Sequence, residues 1–247
     1  MRVYIGFDDT DVINSDRGTG KLARWFENLL PEGCCLWGVV RQQLLVHPDI
    51  PFTSHNSAAC VIVDTQNIDI LNELIIRAAR HLETHALEGS DPGLCVAGEG
   101  HPGLSELMEF GLSCTRSVRT QKDAIQASSG AHLSAHGGTD DGIIGAAAAV
   151  GLTASGWSGR FIEFGMLRNF PSEISVADLK ARNIGVISLD RDATVPSPRD
   201  RIITKNWVRP RLFGSQPVLM VNPCGPGLWE NISEKRNKTE HTMPFPS

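Results

Sequence analysis

At 247 residues, 41% hydrophobic and 21% charged, the chain has the composition of a globular protein with enough core for one large domain or two small ones. Its formal net charge of −5 argues against a protein that grips nucleic acid through bulk electrostatics, though not against a local basic patch. No apolar run approaches the ~18 residues of a membrane span. The N-terminus enters a strand rather than a secretory signal, and the six cysteines include no Cys-x-x-Cys pair, so the expectation is a cytoplasmic protein with reduced thiols, no zinc ribbon and no membrane partner.

Residues 2–7 carry Val3, Tyr4, Ile5 and Phe7 and predict a first strand. Directly after it, Asp8, Asp9 and Asp11 put three carboxylates into four residues. Like charges this close repel, and burial without a counter-cation would raise their pKa values and neutralise them. A hard divalent cation such as Mg²⁺, which takes oxygen ligands and bridges to phosphates, is a natural partner. The other reading is an acidic turn in which one Asp caps the next helix. That helix is expected over residues 22–30, where Leu22, Trp25, Phe26, Leu29 and Leu30 share a face. It is entered through Asp16-Arg17-Gly18-Thr19-Gly20-Lys21. Free N–H groups at a helix start suit an anion. With the Thr19 hydroxyl and the Lys21 charge they make a candidate phosphate seat, the alternative being a tight capped turn. It is not a Walker A loop, whose glycines stand further apart.

Strands follow over 36–45 and 58–63. The proline-punctuated segment between them, Val46 to Ser57, carries His55 and Asn56 as candidate nucleotide or substrate contacts, or as plain surface polar groups. Residues 68–87 form a long helix with one apolar face, from Ile68 through Leu71, Leu74, Ala78 and Leu82. This strand–helix–strand repetition points to a ferredoxin-like or related α+β layer fold. Pro92-Gly93 opens a loop before a short strand at 94–96, and helices are expected at 104–110 and 118–127. The stretch Gly137-Gly138-Thr139-Asp140-Asp141-Gly142 is a second glycine-rich turn, leading into an alanine-rich helix over 143–150. Asp140 or Asp141 would cap that helix and the other would face a cation; the alternative is an N-capped helix after a loop. Gly145 and the alanines after it let the helix approach a neighbour closely.

Further strands are expected at 161–164, 184–189 and 218–221. Basic residues gather only at Arg199, Arg201, Lys205, Arg209 and Arg211, a patch for a short acidic ligand or a solvated face. A boundary near 111–120 would divide the chain into an acidic-turn lobe (1–115) and a glycine-rich-turn lobe (116–230), followed by a loosely held tail (231–247).

The order of these segments resembles archaeal tRNA-isoleucine agmatinylcytidine synthetase (TiaS). The matching segments are Gly6-Phe7-Asp8-Asp9-Thr10-Asp11 with Arg17-Gly18, the His47 to Asn56 stretch with its Ile50-Pro51-Phe52 core, Asp91-Pro92-Gly93, and Gly142-Ile143-Ile144-Gly145-Ala146-Ala147. The resemblance implies a kinase-like lobe beside a ferredoxin-like lobe. It implies an ATP-dependent enzyme that activates a cytidine carbonyl oxygen by phosphoryl transfer before an amine, agmatine, displaces phosphate. Asp8, Asp9 and Asp11 would organise Mg²⁺ and phosphates, with Asp140 and Asp141 as further metal ligands. Thr10, Arg17, Gly18, Thr19, Lys21, Gly137, Gly138, Thr139, Gly142 and Gly145 would lie against the nucleotide, and His55 and Asn56 against the acceptor. The family continues into an OB-fold and a zinc ribbon that hold tRNA, and it follows Arg-Gly with a Cys-Thr-Thr run. Here Thr19-Gly20-Lys21-Leu22 stands at that place and Cys-x-x-Cys pairs are absent, so weak tRNA binding by this chain is expected. The acceptor is then a small carbonyl-, amide- or amine-bearing molecule or an RNA base. The rival classes are a non-catalytic nucleotide- or metabolite-binding protein and an RNA-modification subunit that acts with a partner.

Overall fold

A computed structural model describes residues 1–53, 55–204 and 208–232. The expectations that fall on Ser54, Lys205 and the tail from residue 233 lie outside the described residues. The elements in chain order are β1 (Arg2–Asp8), α1 (Thr19–Trp25), β2 (Cys34–Gln43), β3 (Ser57–Thr65), α2 (Leu71–His85), β4 (Gly93–Gly98), α3 (Leu104–Ser113), α4 (Gln121–Ala127), β5 (His132–Ala135) and α5 (Gly142–Ser155). There follow β6 (Arg160–Glu163), β7 (Glu173–Ser175), α6 (Val176–Ala181), β8 (Gly185–Ser188), β9 (Arg201–Ile203), β10 (Arg211–Phe213), β11 (Gln216–Gly225) and β12 (Leu228–Asn231).

The fold is mixed α+β around one large mixed sheet, ordered β5-β4-β1-β3-β2-β6-β10-β11-β12-β9-β7, with β8 pairing β11. Pairing is antiparallel from β5 to β11; β8 with β11 and β12 with β9 are parallel. The first six major elements run strand, helix, strand, strand, helix, strand, and their strands stand in the order β4-β1-β3-β2.

Both faces of this first half are covered, which is why β1 and β3 read as nearly unbroken apolar runs. One face packs Val3, Ile5, Phe7, Val39 and Val61 against Leu22 and Phe26 of the first helical segment and Leu74, Ala78 and Leu82 of α2. The other packs Tyr4, Cys60, Ile62 and Cys95 against α5 and α3. Helix α5 is apolar all round and is buried from Gly142 nearly to its end, as such helices must be. Its small residues set its depth. A Cβ on Gly6 of β1 would lie 2.2 Å from the Ala146 carbonyl oxygen, and one on Gly151 would lie 1.8 Å from that of Leu107 on α3. Among the described residues no helix is long and apolar enough to cross a membrane.

The early elements stand close to where periodicity puts them. The first helix begins sooner, at Thr19, and tightens to a 3-10 turn over Phe26–Leu29. The helix expected from residue 118 begins only at Gln121, because Thr120 and Asp123 form a reciprocal capping box. Asn231, expected to open the tail, instead closes β12 opposite Val221 and is 2% exposed.

Candidate functional site

The acidic turn follows β1, whose other end and both flanks are fixed by β3 and β4. Asp9 sits in the left-handed region at φ 48°, which turns the chain sharply after Asp8. Two buried threonines clamp the turn to α1: the Thr10 N–H and hydroxyl both donate to Thr19 Oγ1, at 3.4 and 3.1 Å. From the far side, the Leu87 N–H donates to the Thr10 carbonyl at 3.1 Å.

Four carboxylates converge here. Burial raises the Asp8 pKa to about 8, helped by the charges of Asp9, Asp11 and Asp91 and opposed by a backbone hydrogen bond. Asp9 is raised to about 6, again by burial first and then by Asp91 and Asp11, although the Asp91 N–H donates to its carboxylate. Asp11 is raised by burial, against hydrogen bonds that include the Thr53 hydroxyl at 3.2 Å and against the charge of Arg41.

The fourth carboxylate, Asp91, is a site residue that sequence reasoning did not single out. Its signal was the Asp91-Pro92-Gly93 segment, read there as the start of a loop and as part of the family resemblance, without a role for Asp91 itself. Asp91 Oδ2 accepts the Thr139 hydroxyl at 2.5 Å and the Asp141 N–H at 3.1 Å. Its Oδ1 is buried with no hydrogen-bond partner among the described residues. The glycine-rich turn wraps this side chain. Gly138 has φ 70°, and a Cβ there would lie 2.7 Å from the Asp91 carboxyl carbon.

The two glycine-rich segments meet the acidic turn differently. At α5 the approach is direct: a Cβ on Gly145 would lie 1.7 Å from Asp8 Oδ2, and one on Gly142 would lie 1.9 Å from the Asp91 carbonyl oxygen. Asp8 therefore rests against the first turn of a helix of 14 residues. Asp141 occupies the N-cap position without a side-chain cap; its carboxylate instead accepts Gln121 Nε2 at 2.7 Å. Asp140 is exposed, at φ 71°. At α1, Gly18 stands at the N-cap, where a Cβ would meet Asp11 Oδ2 at 3.4 Å. The Arg17 and Lys21 cations lie 5.7 and 5.4 Å from the centre of the Trp25 ring. Thus side-chain capping accounts for neither glycine-rich helix start.

A cavity of about 470 Å³ opens over Asp8, Asp9, Asp141 and Gly145. Asn56 lines it while donating to the Leu45 carbonyl at 2.5 Å; His55 does not line it and is exposed. Arg119 and Lys122 line it too, both missed in a segment that its sequence marked only as helical. Among the described residues no group of three His, Cys, Asp or Glu side chains closes around a metal by itself.

No protein-family model matches the chain, and no curated protein does. Among solved structures, the chain is similar to a complex of TiaS with its isoleucine tRNA and ATP, at 26% identity over 61% of this chain and 36% of that one, with a TM-score of 0.52. It is equally similar to a tRNA fluorescent labeling enzyme, at 28% identity, the same coverages and a TM-score of 0.51. The matched region spans 36% of the length of these proteins. Over the matched part the chain has a TiaS-like fold.

Proposed function

We propose that this chain handles the nucleotide in an ATP- and Mg²⁺-dependent ligase or phosphotransferase of TiaS-like type. It would activate a carbonyl or amide oxygen by phosphoryl transfer, with ligation of an amine to follow. The observation that carries the proposal is the carboxylate cluster of Asp8, Asp9, Asp11 and Asp91 under the α5 N-terminus. Burial and neighbouring charges raise the Asp8 and Asp9 pKa values, burial raises that of Asp11, and the Asp91 Oδ1 atom lacks a partner among the described residues. Such a donor set fits a hard cation shared with phosphate oxygens, since Mg²⁺ takes one or two protein carboxylates and keeps water and substrate ligands.

In this reading Asp8 and Asp9 would hold Mg²⁺, with Asp11, Asp140 and Asp141 nearby in support. Bound there, Mg²⁺ would neutralise charge on the transferring phosphoryl group. The N–H groups of the first turn of α5, from Gly142 to Gly145, would face phosphate oxygens. Gly137, Gly138 and Thr139 would hold Asp91 in place, while Thr10 and Thr19 would lock the turn. Arg17, Gly18 and Lys21 would lie at the outer edge of the nucleotide. Arg119 and Lys122, which line the cavity, would orient the acceptor, with Asn56 and His55 in support. That acceptor would be a small molecule or an RNA base; the related TiaS structure holds a tRNA and ATP.

The β-α-β-β-α-β run with strand order β4-β1-β3-β2 supports a ferredoxin-like first lobe. In the same reading the chain divides near residue 115, and a kinase-like, glycine-rich-turn lobe docks α5 onto that sheet. Six free cysteines support a reducing, cytoplasmic setting.

Asp9→Asn tests the proposal, because it removes charge at nearly constant volume. ATP is expected to raise the melting temperature of the wild type in Mg²⁺ and not in a chelator, and the variant is expected to lose that response while remaining folded. Equal ATP affinity in Mg²⁺ and chelator, unchanged by Asp9→Asn, refutes it.

A further inference from the structure

Strand β5 is an end strand of the sheet and pairs with β4. Along it and just past it, His132, Ser134 and His136 alternate with Leu133 and Ala135, so the three polar side chains leave the same face. His132 and Ser134 stand opposite Val96 and Leu94 of β4, which share one core with Leu74, Ala78 and Leu82 of α2. The polar row therefore lies on the α2 face, one strand beyond the apolar core. Glu83, near the end of α2, reaches it there.

Four side chains make one chain of contacts. His136 Nδ1 lies 3.0 Å from Glu83 Oε1, His136 Nε2 lies 2.8 Å from Ser134 Oγ, and His132 Nε2 lies 2.9 Å from the same oxygen. A hydroxyl has one proton, so Ser134 donates to one imidazole and accepts from the other. Glu83 sets the direction. Its carboxylate accepts the His136 Nδ1–H, so the neutral ring turns a bare Nε2 to the Ser134 hydroxyl. His132 then donates from Nε2 to one lone pair of Ser134 Oγ, leaving the other open. Burial, and then the charge of His136, lower the His132 pKa, which favours its neutral ring. The His136 side chain is 9% exposed and that of Glu83 61%, while Ser134 is half-buried. The edge of the sheet supplies one more donor. The His136 N–H donates to the Pro92 carbonyl at 2.8 Å, so by strand alternation the Ala135 N–H, next after Ser134, points away from β4. None of these side chains lines the cavity over Asp8.

We propose that Ser134, His136 and Glu83 form a second, nucleophilic site that cleaves small activated carboxylic esters. Ser134 is the nucleophile, His136 the general base, and Glu83 the positioning residue that holds the imidazole and its tautomer. The Ser134 Oγ–carbon bond forms as the hydroxyl proton passes to His136 Nε2. The leaving alcohol takes that proton as the ester C–O bond breaks. Water then attacks the acyl group, gives its proton to His136 Nε2, and Ser134 recovers it as the carboxylic acid leaves. The Ala135 N–H is placed to meet the oxyanion that forms at each attack. The substrate is small and activated because the nucleophile stands on an end strand. The proposal holds whether or not the acidic turn binds ATP.

The experiment uses the whole chain and two probes, a fluorophosphonate label mapped by mass spectrometry and 4-nitrophenyl acetate followed by its released phenolate. The wild type is expected to take the label on Ser134 and to turn the ester over. Ser134→Ala should lose both, with the Mg²⁺–ATP thermal response unchanged. His136→Gln is expected to slow labelling and kcat by about 10²–10⁴-fold. Glu83→Gln, at an exposed position where an ion pair adds little to stability, should lower kcat about tenfold with KM unchanged, short of the ~10⁴ of a buried triad carboxylate. It carries the test if circular dichroism shows that His136→Gln does not fold. No label on Ser134 in the wild type, ester turnover that survives Ser134→Ala, or labelling unchanged in a folded His136→Gln or Glu83→Gln variant overturns the proposal.

Discussion

Asp8→Asn replaces the carboxyl that rests on Gly145 with an amide of nearly the same volume, and its consequence is a change in how stability depends on pH. The folded-state pKa of Asp8 lies at about 8 against an ordinary value of 3.8. Between those values the fold holds a proton that the unfolded chain has released. Stability from this group is therefore fully present below about pH 4 and is lost as pH rises through about 8. At 1.36 kcal/mol per unit, the shift sets a ceiling of about 6 kcal/mol. Asp8 is only partly buried and lines the cavity, so the expected loss is roughly 2–3 kcal/mol. For a chain of this size that is about 5–10 °C in Tm. Asp9, at about 6, has the same sign but finishes titrating earlier, so the interval from about pH 6 to 8 belongs to Asp8. Tm measured against pH in a chelating buffer should fall across that interval for the wild type and stay level for Asp8→Asn. Parallel curves between pH 6 and 8 would refute the placement of Asp8.

Gly145→Ala would drive a methyl group to 1.7 Å from Asp8 Oδ2. It is expected to cost about 1–3 kcal/mol by overpacking and to abolish the Mg²⁺-dependent ATP response; a variant with a full response in the thermal-shift assay contradicts the contact. Gly142→Val faces backbone, the Asp91 carbonyl oxygen at 1.9 Å, so circular dichroism should report lost folded protein rather than a selective loss of affinity. Thr120→Ala removes the side-chain half of the capping box on α4 and leaves the residue-120 N–H on the Asp123 carboxylate; it should lower stability by about 1 kcal/mol in denaturant titration. With a net charge of −5, the chain should hold tRNA no tighter than the micromolar range at physiological salt; a nanomolar, sequence-selective complex in a gel shift would show otherwise.

The first half of the sheet was legible because its strands carry dense runs of Val, Ile, Phe and Ala, and α2 shows a clear apolar stripe. The strands β5, β7, β9, β10 and β12 were not, since three or four residues are too few to display a period, and their pairing comes from distant partners. At the site, the acidic turn announced itself by charge density. Asp91 did not, because a lone Asp before Pro-Gly reads as turn chemistry until the fold brings it beside Asp9. The Ser134 site was hidden for the same reason: Glu83 is far from His136 in sequence, and only the packing of α2 on the sheet joins them. The Thr19 hydroxyl, expected to meet a phosphate, has an oxygen that accepts from Thr10, a contact the sequence did not suggest.

Strand β6 is bonded to β2 on one side and β10 on the other, so a single ladder of backbone hydrogen bonds runs through the middle of the molecule. Segments joined this way do not swing apart about a hinge without breaking that ladder. In the proposed reading, making room for a ligand over the carboxylates would fall to a segment outside the ladder, such as Asp49, Ile50 and Pro51, which line the cavity. If the chain is the enzyme proposed, its turnover would be paced by local loop opening rather than by domain rotation, and amide exchange should be fast in that segment while β2, β6 and β10 stay protected.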